Sequence, residues 1–193
     1  MSEKNTNKYA IVDLEATSAS STASIIQVGI VIMQNGQVVD EFASDVNPHQ
    51  ELDEHIIHLT GITDQQLAQA PDFSEIARTI FELIEDCIFV AHNVKFDANL
   101  LAEALFMEGF ELRTPRVDTV ELAQVFYPTF EQYKLSHLSK VLNLDLAQAH
   151  TAIEDARATG QLLFHLMDKI ASLPRQTIEM LLTFSDNLLF ETE

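Results

Sequence analysis

Three short segments, far apart in the chain, hold side chains whose types and spacing suit them to act together. Asp13-Leu14-Glu15 sets two carboxylates two residues apart, and on an extended strand such residues point to one face. His92-Asn93-Val94-Lys95-Phe96-Asp97 offers a third carboxylate: with Asn93 as N-cap, Asp97 falls in the first turn of the helix that follows. His150-Thr151-Ala152-Ile153-Glu154-Asp155 offers a fourth, beside a histidine. Thr151 and Glu154 have the spacing of a capping box, which leaves His150 in the preceding loop and Asp155 one turn inside the helix. On one continuous helix these two residues would sit about 140° apart. From a loop, His150 can face the same centre as Asp155. Taken singly, each segment has a plain structural alternative. An Asp-x-Glu is a common solvated strand end, and an Asp in a first helical turn commonly serves the helix dipole.

Together, four carboxylates without a cysteine favour a hard, oxygen-ligated ion such as Mg²⁺ or Mn²⁺ over zinc. Four negative charges do not share a pocket without cations or protonation. Two divalent ions about 3.5–4 Å apart would neutralise them and clamp an in-line phosphoryl displacement. A loop histidine beside such ions suits proton transfer.

The composition bears on this chemistry. The chain has 193 residues, with 30 acidic against 11 basic side chains and a net charge of −19. Taken alone, that balance argues against a protein that coats nucleic acid, because phosphate binding rests on clustered Lys and Arg. No Lys or Arg lies between Lys8 and Arg78, whereas Lys95, Arg113, Arg116, Lys134, Lys140 and Arg157 lie in the second half. An anion must approach that half, or be met by cations that the carboxylates hold. Metal-held charge would let an acidic protein cut a polyanion. With 47% hydrophobic residues, five Gly and five Pro, the chain is neither disordered nor fibrous. Its length fits one domain, and no apolar run approaches the roughly 18–20 residues that span a membrane. The start MSEKNTNKYAIVDLE has no secretory signal, and the single Cys87 excludes an internal disulfide; the expected compartment is the cytoplasm.

The elements that must position these residues follow from the pattern of apolar side chains. Lys8–Asp13 reads as a buried strand, Ile25–Met33 as a second and Gln37–Val46 as a third, with Asn35-Gly36 as the turn of an antiparallel meander. A polar stretch runs from Asn47-Pro48 to Gly61. Helical spacing appears at Asp64–Gln69 and Phe73–Ile84. Cys87–Ala91 is a short strand, Phe96–Gly109 a helix, Arg116–Val120 a short strand, and Val120–Phe126 and Ser136–Leu142 are short helices. Ala152–Ala171 is a long helix, punctuated by Leu173-Pro174, and a further amphipathic stretch follows at Ile178–Leu189. Strands first, then alternating strands and helices, predict an α/β domain with a mixed sheet. Residues 1–172 are expected to form that domain, and 173–193 a helical extension or a junction to a following one.

The three segments, in order and spacing, resemble the motifs of the DnaQ-like, DEDDh-type 3′–5′ exonucleases across roughly residues 8–168. The resemblance extends to Val46-Asn47-Pro48, Leu59-Thr60-Gly61-Ile62-Thr63, Asp118-Thr119-Val120-Glu121-Leu122 and Lys134-Leu135-Ser136-His137-Leu138. It implies a ribonuclease H-like α/β fold, a mixed central sheet flanked by helices, and two divalent cations, Mg²⁺ or Mn²⁺. It also implies hydrolysis of single-stranded DNA from the 3′ end to 5′-mononucleotides. In that family's terms Asp13, Glu15, Asp97 and Asp155 hold the ions and His150 is the general base. Thr17, His92, Asn93 and Phe96 match positions that shape or contact the terminal nucleotide, and Gly61-Ile62 helps to support it. One departure stands out: Glu15-Ala16-Thr17-Ser18 replaces the usual Glu-Thr-Thr-Gly, losing one hydroxyl and the glycine. Ser172-Leu173-Pro174 and the residues after it resemble the junction that follows the nuclease in DinG-type exonuclease–helicases. A linked helicase domain beyond Glu193 is therefore expected. No Gly-x-Gly-Lys-Thr-type run occurs, so this chain alone is not expected to be an ATPase. The alternatives are a proofreading subunit of a DNA polymerase, an RNA exonuclease, or a catalytically silent module that binds nucleic acid or a partner.

Other reactive side chains read as structural. His55 and His58 have metal-pair spacing without a third ligand, Cys87 is a core thiol, and the stripe Ile153, Ala156, Gly160, Leu163, Phe164, Met167 is core packing. His137 reads as structural, and its neighbours Lys134 and Lys140 could meet a DNA backbone.

Overall fold

A computed structural model describes residues 7–18, 20, 23–145, 151–174 and 176–177. Strands β1 (Lys8–Ala16), β2 (Ile25–Gln34) and β3 (Gln37–Asp45) form the expected antiparallel meander. Asn35 and Gly36 both have positive φ, 53° and 76°, which gives the two-residue turn the twist that matches its strands. Strands β4 (Ile88–Ala91) and β5 (Arg116–Asp118) add in parallel on the other side of β1, giving the order β3-β2-β1-β4-β5. The sheet is mixed and β1 is its centre.

The helices are α1 (Glu54–Thr60), α2 (Asp64–Leu67), α3 (Phe73–Ile84), α4 (Val94–Met107), α5 (Thr119–Phe126), α6 (Leu135–Leu142) and α7 (Ala152–Ser172). They cover both faces of the sheet, as the fold expectation requires. On one face Ala10, Val12 and Leu14 of β1 pack with Ala77, Ile80 and Ile84 of α3 and Leu101 and Leu105 of α4. On the other, Tyr9 and Ile11 pack with Leu122 of α5, Leu138 of α6 and Leu162, Leu163 and Leu166 of α7. Because β1 is buried on both faces, its start reads as an unbroken apolar run. Gly160 lets α7 approach closely: a Cβ there would press on Met33 and Ile11.

One stretch differs from expectation in a way that matters. Helix α1 lies in the stretch read as merely polar; none of its residues is buried, so no apolar stripe announced it. Strand β1 runs on from the apolar stretch Lys8–Asp13 through Leu14 and Glu15, as the shared face of the two carboxylates requires. It continues in register with β2 through Glu15↔Gln27, with an irregularity only between Glu15 and Ala16. The amphipathic stretch 178–189 and the junction motif after Pro174 fall almost wholly outside the described residues. No helix among the described residues is long and apolar enough to cross a membrane.

Candidate active site

Along β1 the side chains of Tyr9, Ile11, Asp13 and Glu15 share one face. The first two fill the core beneath α7. There the apolar filling stops, and the next two positions on that face, lying towards the N-terminal end of α7, are carboxylates. Asp13, Glu15 and Asp155 each present an oxygen, and the three oxygens lie within 4.8 Å of one another. Asp97 arrives from α4. The parallel ladder between β1 and β4 ends at Ile11↔Val90. Farther along, the backbone N–H of Leu14 donates to Asp97 Oδ1 at 3.0 Å, between the two β1 carboxylates in sequence. Asp97 is only 6% exposed.

This crowding is costly for ionised groups. Burial raises the carboxyl of Asp13 well above the usual carboxylate range, and the charges of Asp97, Asp155 and Glu15 push it further. Burial, then Asp155, pushes Glu15 up to about 7. Burial pushes Asp97 up to about 8, against the lowering effect of the Leu14 N–H, while Glu15 and Asp118 add to the rise. Either protons or cations must offset the charge. An all-oxygen donor set, half-buried and closely spaced, fits a hard divalent cation.

Neither helix that brings a carboxylate here caps its own N-terminus. Asn93 occupies the N-cap of α4, as expected, but in the left-handed region (φ 79°, ψ 62°) and with no side-chain hydrogen bond to the helix. Asp118, at the end of β5, does the work instead: it accepts from Asn93 N at 3.3 Å and Val94 N at 3.0 Å, and from Val120 N of α5 at 2.8 Å. Thr151 is the N-cap of α7, but its side chain does not cap the helix. The expected capping box is therefore not formed. Glu154 pairs with Arg157, whose guanidinium also bridges to Glu41 of β3, Nε to Oε1 at 2.9 Å. The N–H of Ala152 donates to Oε1 of Gln27, on β2, at 2.9 Å.

The other residues singled out in the sequence take varied places. Phe96 and Asn93 line a cleft of about 340 Å³ together with Ser20, Lys95 and Asn99. Thr17 closes the loop after β1: its Oγ1 accepts from Ser24 N at 3.0 Å and its N–H donates to Ser24 O at 2.9 Å. His92 has both ring nitrogens engaged, Nδ1 with Thr119 Oγ1 at 2.8 Å and Nε2 with the Tyr133 carbonyl at 2.7 Å. Burial pushes its imidazole below the usual histidine range, so it is neutral, with Nε2 donating to the carbonyl. Gly61 ends α1 with φ 74°, and Ile62 is buried with Ile26, Leu52 and Leu67. His150 lies outside the described residues. His49, which was not singled out, meets Asp72 at 2.8 Å on the surface.

Two residues that hold the site were missed. Asp118 was seen only as part of a resembling stretch, although an Asp opening a helix with Glu121 three residues later is a recognisable N-terminal signal. Gln27 is the one polar side chain inside Ile25–Met33, and Gly29 two residues on marks a close backbone approach.

Both the sequence and the fold have relatives among known proteins. The family described as Exonuclease (RNase_T) matches residues 10–163. The chain is 38% identical over 185 residues to a protein of Staphylococcus aureus (strain USA300) named 3′-5′ exonuclease DinG, covering 95% of this chain and 21% of that protein. A protein of the same name from strain MRSA252 matches equally well. The chain thus spans about a fifth of the length of the curated relatives it matches. Among solved structures, the nuclease domain of 3′hExo, a DEDDh family member bound to rAMP, superposes with a TM-score of 0.74 at 16% identity, covering 90% of this chain and 98% of that one. Exonuclease X in complex with 5′ overhanging duplex DNA gives a TM-score of 0.70 at 21% identity, covering 89% and 98%. These likenesses confirm the ribonuclease H-like fold, and the match over most of the chain shows that it belongs to the exonuclease family.

Proposed function

We propose that the chain is a divalent-metal-dependent 3′–5′ exonuclease module that removes 5′-mononucleotides from the 3′ end of single-stranded DNA. The observation that carries this reading is the convergence of Asp13, Glu15 and Asp155 within one ligand sphere, with Asp97 hydrogen-bonded to the same strand. Asp13, Glu15, Asp97 and Asp155 hold the cations, Mg²⁺ or Mn²⁺. When bound, these ions supply the positive charge and Lewis acidity that a phosphodiester displacement needs. His150, which precedes in sequence the helix that carries Asp155, takes the proton of the attacking water on a ring nitrogen. Phe96 and Asn93, lining the cleft next to Asp97, receive the terminal nucleotide, while Thr17 shapes the loop opposite. The neutral His92 acts by fixing Tyr133 and Thr119. Ile62 supports the Gly61 turn from below.

Residues 1–172 form the nuclease, and 173–193 lead into a further, helicase-containing portion that grips DNA. The resemblance of the tail and the much greater length of the relatives support that context. A labelled oligonucleotide incubated with Mg²⁺ or Mn²⁺ tests the reading. Shortening from the 3′ end to mononucleotides is expected, with DNA cut faster than RNA of the same sequence. Absence of shortening with either ion would point to a silent binding module, and preference for RNA to a ribonuclease.

A further inference from the structure

The start of α7 is seated on the backs of the β1 carboxylates' own pairing partners. In the β1–β2 ladder Asp13 faces Gly29 and Glu15 faces Gln27. A Cβ on Gly29 would collide with the backbone of Ala152 and Ile153, so the first turn of α7 rests directly on the β2 backbone at that point. Two residues away, Gln27 Oε1 accepts the Ala152 N–H at 2.9 Å, one of the first-turn donors that has no partner within the helix. The Gln27 side chain is itself held. Its Nε2 donates to Asp45 Oδ1 at 2.8 Å, and Asp45 Oδ2 accepts from Gln66 Nε2 of α2 at 2.6 Å. Fixing Nε2 on a carboxylate fixes which end of the amide meets Ala152.

We infer that Gln27 is a positioning residue for the reaction: it sets the height of the α7 N-terminus, and with it Asp155, above Asp13 and Glu15. This rests on the nuclease reading above. Gly29 provides the floor, Gln27 the anchor, and Asp45–Gln66 the brace. A ligand sphere of this kind is sensitive to displacements well under an ångström, so loss of the anchor lowers turnover far more than it lowers stability or substrate affinity.

The test removes the acceptor with Gln27→Leu. Turnover and KM are measured on a short single-stranded oligonucleotide, and exchange of the Ala152 amide is followed in the metal-free protein. In Gln27→Leu the expected result is a kcat about 10- to 100-fold lower, KM within twofold of the parent, and faster exchange at Ala152. Should Gln27→Leu fail to fold, Gln27→Asn, whose amide falls one methylene short, is expected to show the same split. Unchanged kcat in the Leu and Asn variants, or a rise in KM without loss of kcat, overturns the assignment. If the parent cuts nothing, the nuclease reading fails; the Ala152 exchange still decides whether Gln27 anchors the helix.

Discussion

Asp13, Glu15 and Asp97 hold protons more tightly in the folded protein than free carboxyls do, Glu15 to about 7 and Asp97 to about 8. Between pH of about 4, where free carboxyls titrate, and these raised values, the folded state binds more protons than the unfolded chain. The stabilising contribution of these groups is thus complete below about pH 4 and is lost as pH rises through 7 to 8. Metal-free protein is expected to melt at a lower temperature at pH 8.5 than at pH 5.5, and saturating Mg²⁺ to raise the melting point more at the higher pH. Differential scanning calorimetry with and without chelator checks this; an equal metal effect at both pH values contradicts it. Asp97→Asn keeps an acceptor for the Leu14 N–H while removing the buried charge. It should abolish cleavage yet stabilise the metal-free protein at pH 8 by about 1 kcal/mol, roughly 2–4 °C for a domain of this size. His150→Ala should cut turnover by about 10²–10⁴-fold while leaving metal affinity nearly intact, as isothermal titration of Mn²⁺ would show. Equal loss of metal affinity would make His150 a ligand.

At the scale of elements, the two helices that bring Asp97 and Asp155 are both held at their N-termini by side chains from strands. Asp118 serves α4 and α5 at once, while Gln27 serves α7. Buried to 8% exposure, Asp118 has no solvent to replace it. Asp118→Ala orphans N–H groups on two helices and should cost about 2–3 kcal/mol, read from the urea midpoint at constant slope. Activity should fall further than stability does, because the first turn of α4 carries Asp97. The Arg157–Glu41 and Arg157–Glu154 contacts also tie α7 to β3, but they are partly exposed. Arg157→Met should cost no more than about 1 kcal/mol.

For the whole molecule, a charge of −19 and the proposed phosphodiester substrate are reconciled by the cations. Fluorescence anisotropy should show that chelator abolishes binding of single-stranded DNA together with cleavage. Undiminished binding without metal would mean that a basic surface, rather than the carboxylate cluster, recruits the strand. The relatives are about five times as long as the matched region, so the grip on a long strand is expected to come from the rest of such a protein. Its affinity should then fall more steeply with salt than that of this chain alone.

The clustered carboxylates were legible in the sequence because their types and spacing suit one centre. Two carboxylates two apart on a strand share a face whatever surrounds them, and no other element has to be known to see it. The apolar periods likewise disclosed the meander, the alternation that follows and α7. What periodicity could not show was α1, which buries no residue. Nor could local signals reveal who holds the helices. Asn93 and Thr151 have the residue types of caps, yet their helices are capped from 25 and 125 residues away, by Asp118 and Gln27. A helix terminus needs an acceptor, and the chain fixes only that need. Which acceptor meets it depends on which strand lies alongside once the sheet has formed.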